Sequence, residues 1–397
     1  MTKIFLTALA GVLALILGHY LNARVHFLRR VCIPAPVTGG ILISLLVLLL
    51  YGTTGITVDF DPTLKDICMM MFFTSVGLQS NLKVLRRGGR HIVVMVLLVA
   101  LLIIFQNVIG IVGAKAMGKN PLLGMAVGSI TMCGGHGTAG GFSDLLESMG
   151  LKGADSIAMA AATVGLLGGS LIGGPLAGHI ISRRKLCEPS EVNLSSGKSD
   201  LLLQTSTSSA VETSSLFKAA CEMFLTIGLG VGINIVLEKA GIEFPTYFGA
   251  LVSGVIIRNV TELVPGSPKL AVDGIGCIGN ISLALFLGMA MVSLRLWELA
   301  GIAVSMLLIL LLQILFIALF ARFVAFPLLG RDYDAAVLVS GICGFGLGAT
   351  PNAMANMSSV SAKYRYSPTP FLVIPLVGAL FVDILNITII SFFLNLL

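Results

Sequence analysis

Charged residues are scarce in this sequence of 397 residues. Lysine, arginine, aspartate and glutamate together make up 11% of the chain, and the mean hydropathy is +1.00. Because so few polar groups cannot cover so many apolar side chains in water, a soluble fold is excluded. Apolar runs of about 18 residues or more can cross a bilayer core, and about ten such runs occur here. We therefore predict an all-α integral membrane protein with about ten transmembrane helices.

The chain also lacks the sequence signs of an enzyme or a redox protein. Its seven cysteines form no CxxC pair and lie mostly in apolar segments, as small buried hydrophobic residues do. The sequence contains no metal-ligand cluster, no GxSxG motif and no pair of membrane acids typical of an intramembrane protease. We expect no enzymatic activity and no organic cofactor. Since the net charge of +6 comes from basic residues in loops, we also expect no nucleic-acid partner.

The apolar spans form two sets of five that repeat each other. The first set comprises residues 4–21, 36–51, 63–80, 92–113 and 155–181, and the second comprises 216–236, 246–257, 272–292, 299–326 and 370–395. An offset of about 211 residues aligns "LGHYLN" with "LGVGIN" and "CGGHGT" with "CGFGLGAT". Because five is odd, the second copy must enter the membrane upside down, which predicts inverted-topology repeats over residues 1–182 and 216–397.

The distribution of basic residues predicts the orientation of these repeats. With the N-terminus outside, most of the 25 lysines and arginines fall in inner loops. The outer loops then hold only Lys3, Lys65, Lys115, Lys119, Lys152, Lys239 and Arg295. The positive-inside rule therefore places both termini on the periplasmic or extracellular side. Residues 183–215, rich in Ser, Thr and charge, are predicted to form a flexible cytoplasmic linker, with a regulatory loop as the alternative.

Two glycine-rich segments, 121–145 and 335–362, carry almost no charge but do not resemble plain spanning helices. Loosened backbone cannot face lipid, so each is predicted to be re-entrant, with two half-helices meeting at a tip buried in protein. The N-terminus of a half-helix suits a carboxylate, and the free carbonyls of its partner suit Na⁺. The alternative is that the glycines only allow close helix packing.

The two tips are the candidate substrate site, because no lysine or arginine lies near the middle of any span. The candidate residues are Gly134, Gly135, His136, Gly137 and Thr138 in the first tip, and Gly346, Gly348, Thr350 and Asn352 in the second. His136 is the only titratable side chain in its tip. It is interpreted either as a proton carrier or as a neutral, hydrogen-bonded packing residue.

Asp383 is the one carboxylate near the centre of a span, where it costs about 2.5 to 3.5 kcal/mol on insertion scales. Asn386 lies three residues further on the same helical face, so both oxygens can converge on a cation. The alternative for Asp383 is a structural hydrogen bond to a neighbouring helix. The candidate Na⁺ ligands are Asp383, Asn386, Asn280, Ser282 and Thr163, and further polar groups at membrane depth are Thr74, Gln106 and Asn107.

With "IPAPVTGG", "GSITMCGGHGT" and "YDAAVLVSGICGFGLGATPNAMANM", the chain closely resembles the bacterial glutamate:sodium symporter family. The resemblance extends from the first span to "VGALFVDILN" and leaves only the linker unmatched. It implies a homodimeric carrier of the bacterial inner membrane that takes up L-glutamate with Na⁺ as the coupling ion. A similar plan in sodium-coupled citrate carriers implies an elevator-type transporter, with a scaffold of residues 1–60 and 216–262 and a core of residues 63–181 and 268–397.

Other functions remain open at this point. Nothing in the candidate residues separates glutamate from aspartate, so a Na⁺- or H⁺-coupled carrier of another small dicarboxylate or acidic amino acid is the nearest alternative. A channel is a further alternative, because re-entrant segments also line pores.

We predict that single cysteines introduced at Ser195 and Thr54, in a cysteine-free background, react with a membrane-impermeant reagent from opposite sides. The uneven distribution of basic residues is the reason, since it puts the linker inside and the loop at 53–60 outside. The measurement compares labelling in right-side-out and inside-out vesicles. Equal labelling of both positions from one side would contradict the inverted-repeat plan.

Overall fold

The computed structural model describes residues 2–25, 34–55, 60–81, 89–186, 212–239, 247–264, 269–299 and 301–397. Every regular element in these ranges is helical. The predicted linker lies outside the described residues from position 187 to position 211, and the outer loop at 53–60 does so from position 56 to position 59.

The first half forms helices α1 (Thr2–Arg24), α2 (Ala35–Thr54), α3 (Thr63–Gln79), α4 (Gly89–Ala116), α5 (Pro121–Ala126), α6 (Ser129–Met132), α7 (Gly135–Ser148) and α8 (Ala154–Arg184). The second half forms α9 (Thr213–Lys239), α10 (Phe248–Leu263), α11 (Val272–Val292), α12 (Ala303–Phe320), α13 (Phe326–Leu328), α14 (Tyr333–Phe345), α15 (Thr350–Lys363), α16 (Pro368–Val377) and α17 (Asp383–Leu394). A 3₁₀ turn spans Leu296–Leu299. Two π turns, Ala321–Ala325 and Gly378–Val382, connect α12 to α13 and α16 to α17.

Seven helical segments in the described ranges are long and apolar enough to cross a membrane. They are Lys3–Arg24, Ala35–Thr54, Ile92–Ala116, Ala154–Arg184, Thr213–Lys239, Val272–Val292 and Ala303–Leu328. Helices α3 and α10 have 17 and 16 residues, and α16 and α17 form one continuous apolar rod through their π turn. These segments lie at the positions of the predicted spans, and the protein is a multi-pass membrane protein. The inverted relation of its two halves stays a prediction.

The helices pack in two groups. In the first group, α3 packs against α10 and α11, and α11 packs against α1, α2 and α9. In the second group, α8 packs against α7, α14 and α15, and α4 packs against α5 and α12. The sequence-based partition assigned the third and eighth spans, which are α3 and α11, to the core. Besides packing on each other, both contact helices assigned to the scaffold, and the partition stays a prediction.

Glycines explain this packing of α3. A Cβ built on Gly254 of α10 would lie 3.0 Å from the Cα of Gly77 in α3, so the two helices touch through their backbones. Gly279 of α11 leaves room for the side chain of Ser75 on another part of α3. Small residues allow such close approach. In a membrane the hydrophobic effect does not drive helices together, so this close packing is what favours their association.

Contacts between loops and helix termini identify the two ends of the helix bundle. At one end Tyr51, in the last turn of α2, stacks on Trp297 with ring centroids 4.4 Å apart. At the other end the side-chain amide of Asn81, after α3, donates a hydrogen bond of 2.7 Å to Glu262 in the last turn of α10. Helix α10 therefore begins towards the Trp297 end and finishes at the Glu262 end.

Candidate functional site

The first glycine-rich segment is a broken helix that turns back on itself. The break between α5 and α6 falls at Val127 and Gly128, and the tip between α6 and α7 falls at Cys133 and Gly134. Gly135 begins α7 with φ of +59°, in the left-handed region that glycine adopts without strain. Helix α7 then packs against α6 and α8. The segment α5–α7 is called the first hairpin below.

The second glycine-rich segment is also a helical hairpin, formed by α14 and α15. Ala349 is extended, with φ of −162° and ψ of 163°, and it separates the turn after Phe345 from the first residue of α15, Thr350. A Cβ on Gly344 would lie 2.5 Å from the backbone nitrogen of Ala353, so the two helices touch at backbone distance near the tip. Glycine at this position is required because α14 and α15 meet there.

The tips of the two hairpins meet where α7 and α15 begin. A Cβ built on Gly135 would lie 2.5 Å from the carbonyl oxygen of Gly348, so one backbone rests on the other. Neither helix receives a side-chain hydrogen bond at its N-terminus. Gly134, Gly137 and Thr350 are half-buried, whereas most residues around them are fully buried. The first turns of both helices therefore present free N–H groups, which carry partial positive charge, at one partly accessible place.

Asp383 is the first residue of α17 and is joined to the second tip through the π turn that precedes it. It follows directly on the π turn, and that turn begins at Gly378, whose added Cβ would lie 2.5 Å from the hydroxyl oxygen of Thr350 in the second tip. The Asp383 side chain is half-buried, and α17, which begins with it, packs against α6 of the first hairpin. The π turn and α17, which carry Asp383 at their junction, therefore contact both hairpins.

Asn386 contacts the first hairpin through Ser129. Its side-chain amide donates a hydrogen bond of 3.1 Å to the carbonyl oxygen of Ser129, while the Ser129 N–H donates one of 3.0 Å to Oδ1 of Asn107. All three side chains are 0% exposed. Within the described part of the chain, Oδ1 of Asn386 and Oγ of Ser129 have no hydrogen-bond partner. These oxygens are suited to a cation, because neither is used by the protein itself.

Sequence reasoning missed Ser129. The available signal was a hydroxyl residue directly after Gly128, in an uncharged segment with a helix break.

Helix α4 connects the two hairpins by means of two consecutive amide residues. Asn107 holds Ser129 of the first hairpin, and the side chain of Gln106 donates a hydrogen bond of 2.7 Å to the carbonyl oxygen of Gly346 in the second. Gln313 of α12 in turn donates one of 2.7 Å to the backbone carbonyl of Gln106. The backbone groups released by both breaks are therefore bound by α4, and both hairpins are fixed to the same helix.

His136 and Thr163 are paired with each other. Nε2 of His136 lies 3.0 Å from the hydroxyl oxygen of Thr163, and that hydroxyl donates a hydrogen bond of 2.9 Å to the carbonyl of Met159. Because the hydroxyl proton is used on Met159, we infer that His136 donates from Nε2–H. This geometry favours the interpretation of His136 as a neutral packing residue, and it engages Thr163, one of the predicted Na⁺ ligands.

Asn352 fastens the second hairpin to α8. Its Oδ1 accepts a hydrogen bond of 2.6 Å from Ser170, and its Nδ2 donates one of 3.1 Å to the carbonyl of Leu166. One turn later, Asn356 donates a hydrogen bond of 2.9 Å to the carbonyl of Gly169. The Asn352 side chain was predicted to bind substrate, but its amide bonds to the protein on both sides, which leaves the backbone N–H as its contribution to the tip.

The remaining predicted residues differ in burial and in hydrogen bonding. Asn280 is exposed on α11, whereas Ser282 is buried two residues away, so their side chains do not point to the same place. The Thr74 hydroxyl donates to the carbonyl of Met70 in its own helix. Thr138 is 1% exposed, and its hydroxyl has no partner among the residues with described positions. Of the predicted ion ligands, Asn386 contacts the first hairpin through Ser129, and Thr163 contacts it through His136.

Comparison with known proteins gives a consistent result over almost the whole chain. A family model described as sodium/glutamate symporter matches residues 2–366. The sodium/glutamate symporter of Escherichia coli (strain K12) is 41% identical over 395 residues, which cover 98% of this chain and 97% of that protein. The protein of the same name from Haemophilus influenzae is 38% identical over 375 residues, with 94% and 93% coverage.

Proposed function

The chain belongs to the sodium/glutamate symporter family, and we propose on this premise that it is a secondary active transporter that takes up L-glutamate together with Na⁺. The observation that carries the site assignment is the meeting of two uncapped helix N-termini, at Gly135 and Thr350, beside one carboxylate, Asp383. Transport requires no covalent step, so no catalytic residue and no organic cofactor are proposed.

The two helix N-termini match the two carboxylates of glutamate. In this proposal the N–H groups of Gly135, His136 and Gly137 bind one carboxylate, and those of Thr350 and Asn352 bind the other. A helix N-terminus holds an anion through its free N–H groups and its dipole, so no lysine or arginine is needed at the centre of the membrane. Gly346 and Gly348 contribute by allowing the second tip to lie against the first.

Na⁺ binds beside the anion in the same proposal. Its ligands are the carboxylate of Asp383, Oδ1 of Asn386 and Oγ of Ser129, since hard cations prefer oxygen ligands. The unpartnered oxygens of Asn386 and Ser129 support this set. Asn280 is not included because its side chain is exposed, and Thr163 and Ser282 are secondary candidates. Na⁺ bound next to the substrate reduces the electrostatic repulsion between the substrate carboxylate and Asp383.

The transport step is proposed to be an elevator-type movement of the group that contains both hairpins against the remaining helices. The packing of α3 and α11 supports adding them to the scaffold of α1, α2, α9 and α10. The proposal also includes two inverted repeats, a homodimer held through the scaffold, and both termini on the periplasmic side. The bacterial inner membrane fits the apolar helices and the bacterial relatives.

A carrier for another small dicarboxylate or acidic amino acid is the second candidate. Two helix N-termini would hold the carboxylates of aspartate as well, so a substrate panel must separate the two. Proton coupling is less favoured, because His136 is hydrogen-bonded to Thr163 and buried to 7% exposure.

We predict that the purified protein in liposomes accumulates labelled L-glutamate only when an inward Na⁺ gradient is imposed. A membrane potential should assist if net positive charge moves, at about 2.3 kcal/mol per charge per 100 mV. Replacement of external Na⁺ by choline is the control, and competition by unlabelled acids ranks the substrates. Equal uptake in choline, or equilibration without accumulation, would refute Na⁺ symport.

Substitution of Gly137 by alanine is predicted to raise the KM for glutamate without unfolding the protein. The added Cβ would lie 3.3 Å from the ring of Phe72, which requires only a small shift, and that shift moves the N–H groups in the half-buried first turn of α7. Loss of one N–H bond to a carboxylate then corresponds to a roughly tenfold or larger rise in KM.

The matched control for this variant is Gly174→Ala on α8, where a built Cβ meets nothing within 4 Å. Uptake kinetics and thermal unfolding are measured on both variants. A folded Gly137→Ala protein with wild-type KM would remove the first tip from the substrate site.

Asp383→Asn is predicted to lower the apparent Na⁺ affinity of uptake by roughly tenfold or more, which corresponds to about 1.4 kcal/mol. The physical reason is the loss of a charged ligand of a hard cation. Asp273→Asn, at an exposed position in the first turn of α11, is the control and should leave Na⁺ dependence unchanged. Wild-type Na⁺ dependence in Asp383→Asn would make Asp383 a structural residue.

A further inference from the structure

Tyr247 lies between the two groups of helices, just before α10. Its ring stacks on Phe73 of α3, with centroids 4.0 Å apart and an angle of 16° between the planes. The ring also meets the edge of Phe142 in α7 at 6.2 Å. A Cβ on Gly141 of α7 would overlap with the ring, so Tyr247 rests directly on the backbone of the first hairpin.

The hydroxyl of Tyr247 is unsatisfied although the side chain is 0% exposed. It has no hydrogen-bond partner in the part of the chain that the structure covers, which destabilises the fold relative to a phenylalanine in the same place. Tyr364, another buried tyrosine, differs because its hydroxyl lies 3.1 Å from Oγ of Ser182 and 3.4 Å from the carbonyl of Gly178. A buried tyrosine with an unpaired hydroxyl indicates a partner that is met in another state.

Tyr247 is held firmly by the α9–α10 pair. The N–H of Gly249, two residues later, donates a hydrogen bond of 2.9 Å to Oδ1 of Asn234 in α9. A Cβ on Gly230 of α9 would lie 2.5 Å from the Cα of Ala250, so the two helices touch through their backbones. The ring therefore keeps its position relative to α9 and α10 when the hairpin moves.

Helix α7 offers two positions on which such a ring can rest. Gly137 and Gly141 are four residues apart and share one face of the helix, about one turn or 5.4 Å from each other. The Gly141 position is occupied by Tyr247, and Gly137 faces Phe72 and Phe73, at 3.3 Å and 3.9 Å from a built Cβ. The same aromatic surface thus borders both glycines. Packed elements change register by about one turn in known switches.

We propose that Tyr247 is a further substrate-binding residue: when α7 moves by one turn past Tyr247, the ring passes from Gly141 to Gly137, and the hydroxyl donates a hydrogen bond to the carboxylate held at the first tip. The proposal rests on the proposed function, because it requires an anion at the N-terminus of α7. It gives the unpaired hydroxyl a partner, and it explains why both positions on this face are glycine.

The first test compares Tyr247→Phe with Tyr364→Phe in liposomes. Tyr247→Phe should keep or raise the thermal unfolding midpoint and raise the glutamate KM about tenfold, because only the bond to substrate is lost. Tyr364→Phe should lower the midpoint and leave KM unchanged, because its hydroxyl has partners in the protein. Tyr247→Phe with wild-type KM overturns the proposal, whereas absence of Na⁺-driven uptake in the wild type overturns the proposed function.

The second test measures the register directly with a short thiol cross-linker in a cysteine-free background. The pair Tyr247→Cys with Gly141→Cys should cross-link in the arrangement described here. The pair Tyr247→Cys with Gly137→Cys should also cross-link, more slowly, as molecules reach the shifted register. If the first pair cross-links and the second pair never does, the change of register does not occur.

Discussion

A backbone N–H or C=O that leaves a helix inside a membrane needs another partner, because lipid offers none. In this protein, neutral amide side chains are the hydrogen-bond partners of such backbone groups. Asn107 accepts from the N–H of Ser129, and Gln106 donates to the carbonyl of Gly346, so two neighbouring residues of one helix stabilise two separate breaks. The rest of the site depends on this arrangement, since both tips stay open only while their loosened backbone is bound elsewhere.

Because of this constraint, the groups that hold the hairpins in place differ from the groups that are proposed to bind the substrate. Amides hold the sides of the hairpins, as Asn352 does against α8, whereas the first turns of α7 and α15 are left without a side-chain cap. A site built from backbone dipoles carries no full positive charge, so the empty transporter does not have to bury a lysine or arginine near the membrane centre. Asp383 carries a full charge near the hairpins, and the proposed Na⁺ would balance it.

Much of this fold could be predicted from the sequence, because apolar runs and charge-free glycine segments follow directly from the properties of the bilayer. The tips were found for the same reason. The direction of side chains on helices that are apolar all round could not be predicted, since no polar stripe marks their orientation. The sequence could not show that Asn280 is exposed, or that Ser129 would contact both Asn386 and Asn107, because these depend on how α4 and α17 pack. The grouping of α3 with α10 depends likewise on glycine contacts between distant parts of the chain.

The π turn at Gly378–Val382 has a consequence for how this site can vary. A π turn holds one residue more than a regular α turn, so it changes the direction in which the side chains of the following helix point around the helix axis. Deleting one residue from this stretch would restore an ordinary helix and rotate α17 relative to α16 by about 100°. Asp383 and Asn386 would then turn away from the first hairpin together, with composition and hydropathy almost unchanged. The length of this five-residue stretch therefore determines the positions of Asp383 and Asn386 as much as the sequence that follows it does.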